Sequence, residues 1–385
     1  MNEINKYKIL MTIRYMGDAF FYPFIALYLK HCGLIENQIG LLLSLSPLIG
    51  ILMNPFFTWI CKNPSITKRV LAIISALEGI IIILIAFQTT FVPLLVLVIF
   101  LAIFGACHYG LMDALATLYT TTSNKSFSSI RIFGSMAYAI GTVAGGYMIK
   151  YLNYQWTFLL ATILFIGSAV MYLVLKPIDL EQPKTDRPKY RELFSNKAFY
   201  LYASIFILLL SSVYASDHFF SLFLATKGID EGGYGIIYAY YVVVECITLL
   251  ILSRLKGRLK AEWLILICCI ILFCRQLVNV LPLPPIAIAI GAGFRGLFYG
   301  FFLHVAYVYV EHLVGKRLAT IGIMTMMLGE AILLFALENL DGIIIHQFGF
   351  RPFYLLMMGL AIIAIICQCI RMIRIKAKDQ EDVII

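Results

Sequence analysis

DAFFYPF at residues 18–24 and DHFFSLF at residues 217–223 share the pattern D-x-F-F-x-x-F and lie half a chain apart. Each is followed by a turn of similar form, GLIENQIG at 33–40 and GIDEGGYG at 228–235, matching at the first and last glycines and at the glutamate. Further on, GGYMIKYLNYQWTFLL at 145–160 aligns without gaps with DGIIIHQFGFRPFYLL at 341–356. One such match carries little, because aromatic and glycine-rich sequence generates chance similarity. Three in the same order, at nearly one offset, read as a duplication.

The duplicated sequence is too apolar for water. Of 385 residues, 62% are hydrophobic and 13% charged, and the mean hydropathy of +0.92 exceeds what one soluble core can hide. A bilayer span needs roughly 20 apolar residues. Twelve candidates follow, near 8–30, 38–61, 68–89, 91–120, 129–149, 155–176, 198–226, 233–254, 261–281, 284–311, 317–340 and 350–374. The expected fold is an all-α polytopic membrane protein of twelve helices in two parallel six-helix pseudo-repeats. Residues 1–176 would form the first bundle, 177–197 a polar cytoplasmic linker, 198–374 the second bundle and 375–385 a cytoplasmic tail. Because six spans separate equivalent helices, the copies keep one orientation, related by an axis along the membrane normal.

The net charge of +9 invites a polyanionic partner, but its distribution points elsewhere. With both termini inside, the outer loops hold only Lys30, Lys150, Lys227 and Arg351, the spans hold Arg14, Arg131, Arg275 and Arg295, and the other basic residues face the cytoplasm. That is the positive-inside bias. It implies a bilayer and no nucleic acid, and places the protein in the plasma (bacterial inner) membrane. MNEINKYK leads into a long span with neither a short apolar h-region nor a small-residue cleavage site, so it reads as a retained first helix. Eight of the nine cysteines fall in or at spans without zinc or disulfide spacing, and read as packing residues. His108, His218 and His304 are expected to be hydrogen-bonded packing residues, and no metal or cofactor is called for.

Ionisable groups inside spans cost about 2.5–3.5 kcal/mol even on the insertion scale, so they must face protein or water. The candidates are Arg14, Asp18, Glu78, Asp113, Arg131, Asp217, Glu245, Arg275, Arg295 and Glu330. Arg14 and Asp18 are one turn apart and can pair along one helix. Asp113, near the inner end of span four, and Arg131, just inside span five, are expected to meet across adjacent antiparallel helices. Ser135 and Tyr138 continue the Arg131 stripe, placing cation, hydroxyl and ring on one face.

IRIFGSMAY at 130–138, with Asp113 ahead of Arg131, resembles the lactose permease branch of the major facilitators. In that branch an acid and an arginine at this spacing bind sugar hydroxyls, and an aromatic at the place of Tyr138 stacks on the sugar ring. FYPF at 21–24, Glu245, Arg275 and Arg295 also find counterparts. The resemblance implies a secondary active transporter working by alternating access, with a polar solute bound between its halves by Asp113, Arg131, Ser135, Tyr138 and Glu245. It also implies coupling to a proton or another cation, with Asp217, Arg275, Arg295 and Glu330 as a coupling or charge network. Asp217, Glu245 and Glu330 are the candidate proton carriers. Departures are clear too: Phe298 and Phe301 stand where the branch carries a histidine and a proton-carrying glutamate, and CKNPSITKR after span two lacks the usual aspartate.

A carboxylate and an arginine that exchange their mutual contact for bidentate hydrogen bonds suit a sugar or glycoside. Nucleosides, aromatic acids or drugs on the same fold, or a scaffold that transports nothing, remain alternatives. No phosphate loop and no nucleophile, base and orienter set is present in the sequence, so an enzyme is not expected.

Overall fold

The computed structural model describes residues 2–61, 63–176, 193, 197–255 and 260–376. The expected linker 177–197 and tail 375–385 lie almost wholly outside them. Secondary structure among the described residues is helical: α1 (Glu3–Phe21), a 3-10 turn (Tyr22–Phe24), α2 (Ile25–His31), α3 (Glu36–Ile60), α4 (Pro64–Ile85), α5 (Phe91–Gly105), α6 (His108–Thr122), α7 (Ser128–Tyr151) and α8 (Tyr154–Val174). After these come α9 (Lys197–Thr226), α10 (Glu231–Arg254), α11 (Ala261–Val280), α12 (Pro285–Gly291), α13 (Gly293–Val314), α14 (Lys316–Phe348) and α15 (Phe350–Lys376).

The duplicated motifs fold alike where their residues match and differ where they do not. Gly33 and Gly228, the first glycines of the paired turns, both sit in the left-handed region, at φ +85° and +77°, which a side chain would strain. Glu36 and Glu231 then open the next helices. Pro23 has no counterpart in DHFFSLF. Accordingly the first span breaks into a 3-10 turn at Tyr22–Phe24, while α9 runs unbroken to Thr226.

Two compact units emerge. One comprises Met1–Lys184 with Ser221–Ala239, the other Thr185–Phe220 with Tyr240–Ile385. Within the first, α1 packs on α7 and α8, and α4 on α8. Gly141 makes the α1 approach possible, since a Cβ there would lie 2.7 Å from that of Ala19. Close backbone approach through small residues is the usual solution in lipid, where apolar surface alone gives helices no reason to associate. In the second unit α11 packs on α13 and α15. Phe199 and Phe206 of α9, Leu264 and Leu272 of α11, and Phe298 and Phe302 of α13 share its core. Outward faces are strongly apolar: Leu52 is 73% exposed and Leu250 63%, as a lipid-facing surface requires.

Among the described residues, ten helical stretches are long and apolar enough to cross a membrane. The first and third of the twelve expected spans are not among them: they fold as residues 3–31, with the 3-10 turn inside that stretch, and as Pro64–Ile85, and both carry several charged residues. Those charges meet each other. Arg14, with no exposed surface, places Nε 3.2 Å from Asp18 Oδ2 and grips Glu78 of α4 with NH1 to Oε2 at 2.6 Å and NH2 to Oε1 at 3.2 Å. Its guanidinium carbon lies 4.1 Å from the centre of the Phe165 ring. His108 closes the group, with Nδ1 3.0 Å from Glu78 Oε2 and Nε2 2.9 Å from the Tyr172 hydroxyl. The expected Arg14–Asp18 pair is therefore present, and extends from α1 to α4, α6 and α8.

Arg14→Met keeps the volume and strands two buried carboxylates; removing one partner of a buried pair costs about 3–5 kcal/mol. The thermal midpoint of the detergent-solubilised chain should fall well below the native one, and an unchanged midpoint would show that the pairing does not hold these helices. Gly141→Leu forces α1 and α7 apart and should cost about 1–3 kcal/mol by overpacking, read in the same assay.

Candidate functional site

In the first unit, α7 is continuous, so Arg131, Ser135 and Tyr138 keep their common stripe. The expected ion pair between Arg131 and Asp113 does not form. Arg131 stands in the first turn of α7, and Asp113 more than two turns before the end of α6, an axial separation of roughly 9 Å at 1.5 Å per residue. The arginine side chain does not close it. It lies instead on Tyr15, guanidinium carbon 4.2 Å from the ring centre. Arg131 still acts electrostatically on Asp113, whose Oδ1 is buried without a hydrogen-bond partner.

Around these groups stand four tyrosines. Tyr138 and Tyr238 approach with ring centres 5.5 Å apart and hydroxyls 3.3 Å apart. Tyr15 packs against Tyr138 at 6.5 Å and against Tyr109 at 5.5 Å. Half-buried Ser135 lies on the same stripe. This combination offers an acceptor, a cation and several aromatic faces, the elements that hold a hydroxylated ring. Tyr15, Tyr109 and Tyr238 were not singled out from sequence. Their signal was weak: tyrosine is frequent, at 23 residues, and only the position of Tyr15 beside Arg14 hinted at depth.

The second unit gathers the other candidates differently. Asp217 of α9 is held by Arg275 NH2 of α11 at 2.5 Å and by Arg295 Nε of α13 at 2.6 Å. Arg295 also lies over the rings of Tyr241 and Tyr299, at 4.2 and 4.6 Å. Next to it, Gln276 Nε2 donates to Ser216 Oγ at 2.8 Å. Nε and NH1 of Arg275 have no hydrogen-bond partner, so the triad has one carboxylate, two guanidinium groups and donors to spare. Glu245 sits where α10 crosses α13, at a place where Gly296 allows the α13 backbone to pass close to Tyr241 and Glu245. Glu330 lies on α14, buried, near Glu338 and His218, which act on it electrostatically.

His218 Nδ1 contacts Glu338 Oε1 directly. Glu338 and Asp341, both without exposed surface, were missed in the sequence: Asp341 falls just past the eleventh span's bound at residue 340, and Glu338, inside it, was not singled out. The readable signal was two acids three residues apart in an apolar helix.

Comparison with known proteins agrees with this architecture. The model of the MFS_1 like family matches residues 5–371. An uncharacterized transporter of Bacillus subtilis (strain 168), YwbF, is 27% identical over 233 residues, covering 60% of this chain and 58% of its own length. The maltose permease of Geobacillus stearothermophilus is 22% identical over 301 residues, covering 77% and 76%. A probable 3-phenylpropionic acid transporter of Escherichia coli (strain K12) is 24% identical over 266 residues, covering 66% and 68%. Among solved structures, the nucleoside transporter NupG superposes with a TM-score of 0.83 at 15% identity, over 97% of this chain and 99% of that one. A bacterial homolog of the human lysosomal transporter Spinster, inward-facing and unoccupied, gives 0.70 at 15% identity, over 98% of each. The match along nearly the whole chain, joined to the apolar helices and their buried charges, makes this protein a multi-pass membrane transporter of the major facilitator superfamily, belonging to the MFS_1 like family.

Proposed function

We propose that the chain is a secondary active transporter, working by alternating access and coupled to a cation, whose solute is a sugar or glycoside. The observation that carries this is the unpartnered, buried Asp113 Oδ1, on which Arg131 acts electrostatically, together with the Tyr15 ring under Arg131 and the Tyr109, Tyr138 and Tyr238 rings joined to it. A free carboxylate oxygen in such a setting accepts a hydroxyl hydrogen bond, and a tyrosine face covers the apolar side of a pyranose. The maltose permease among its relatives supports the same cargo. The positive-inside distribution of Lys and Arg supports cytoplasmic termini in a plasma (bacterial inner) membrane.

A second reading has its own observation. The Asp217, Arg275 and Arg295 triad carries one excess positive charge, with Tyr241 and Tyr299 stacked on Arg295. Spare guanidinium donors beside aromatic rings suit an aromatic carboxylate, the kind of solute named for the Escherichia coli relative.

Currents from proteoliposomes on a solid-supported membrane separate the two. Glycosides should evoke a current in the native chain. Asp113→Asn should raise the half-saturating concentration roughly 10- to 100-fold, since a hydrogen bond to a charged group is worth about 1.5–3 kcal/mol. A current with 3-phenylpropionate instead, unaltered by that substitution, would replace the glycoside by the aromatic acid.

A further inference from the structure

Glu330, Glu338 and Asp341 all belong to α14. Steps of eight and eleven residues at 3.6 per turn bring them to one side of the helix, Glu330 and Asp341 almost in line. Glu338 and Asp341 have no exposed surface and Glu330 has 6%. His218 of α9 meets Glu338 Oε1 through Nδ1. Four carboxylate oxygens of this patch, Glu330 Oε1, Glu338 Oε2 and both of Asp341, have no hydrogen-bond partner.

The charge does not balance. The titratable groups acting on the patch are His218 and, through it, Asp217, both from α9, with the three acids of α14 acting on one another. None of these comes from α13 or α15, which also pack on α14. Asp217 is already gripped by Arg275 and Arg295, and leaves no cation for its neighbours. Three carboxylates facing one imidazole in an apolar helix are not sustained as three anions, because each unpaired buried charge costs several kcal/mol. No group of side chains suited to a metal ion occurs among the described residues. The cation that fits is a proton.

We propose that His218, Glu338 and Asp341, with Glu330 two to three turns away, form a proton-binding site, and that this site carries the coupling ion. The inference rests on the transporter reading above and assigns its coupling step to residues separate from Asp113 and Arg131. A carboxylate oxygen of Asp341 takes a proton from water on one side and returns it to water on the other, and His218 holds Glu338 in place between these events. Since His218 follows Asp217 directly in the chain, loading the site changes the field at the Asp217, Arg275 and Arg295 triad.

Infrared difference spectra of the full chain in liposomes, titrated with pH in the absence of solute, test the site directly. The native chain should show the carbonyl stretch of a protonated, buried carboxylic acid that disappears on alkaline titration. Asp341→Asn and Glu338→Gln should each remove or displace that band, while Glu36→Gln at the start of α3 should leave it. A native chain without the band, or a band unchanged in both span variants, overturns the proposal. With a transported glycoside, Asp341→Asn should abolish accumulation driven by a pH gradient while retaining at least half of native counterflow exchange; equal loss of both would overturn the coupling role. If the native chain shows the band but moves no glycoside, the proton site stands and the solute assignment falls.

Discussion

Arg14 has no exposed surface and lies in a span of a membrane protein, where neither water nor lipid headgroup can reach its charge. Everything near it answers that constraint. Asp18 meets it from one turn along α1, Glu78 from α4 with both oxygens, and His108 braces Glu78 from α6. The contacts of Glu78 tie α4 to α1 and to α6 at a definite depth and rotation. Apolar side chains against lipid fix no such register, because a leucine gains as much from a lipid tail as from a neighbouring leucine. Buried charge therefore supplies specificity here that hydrophobic burial supplies in a soluble core.

The second half solves the same problem with the charges redistributed. Its first, third and fourth spans again provide the members, Asp217 from α9, Arg275 from α11 and Arg295 from α13. The third-span position that holds an acid, Glu78, in the first half holds a base in the second. In both halves the fourth span is interrupted shortly before its member: α5 gives way to α6 just ahead of His108, and α12 to α13 just ahead of Arg295. A duplication that keeps the positions and exchanges the signs leaves the first group rich in carboxylate and the second rich in guanidinium.

Polar groups left without protein partners mark where chemistry remains to be done. Asp113 Oδ1, the spare donors of Arg275, and the open oxygens of Glu330, Glu338 and Asp341 are three such places. Buried polar atoms are seldom left unsatisfied, since each costs about 1–3 kcal/mol. Open acceptors complement hydroxyl groups or protons, and open guanidinium donors complement anions.

The sequence by itself determined that this chain is an all-helical membrane protein in two copies. Apolar composition, span length and the D-x-F-F-x-x-F repeat are properties of residue order alone. It also determined which ionisable groups needed protein partners, and one local pairing, Arg14 with Asp18, because four residues along a helix is a fixed distance. Which distant group each charge would meet was decided only in the tertiary structure. Arg131 was expected on Asp113 but rests on Tyr15, because the depth of a residue in one helix relative to the next depends on packing and loop geometry. His218 and Glu338 are 120 residues apart, and no periodicity links them; only the docking of α14 beside α9 turns two isolated polar side chains into one site.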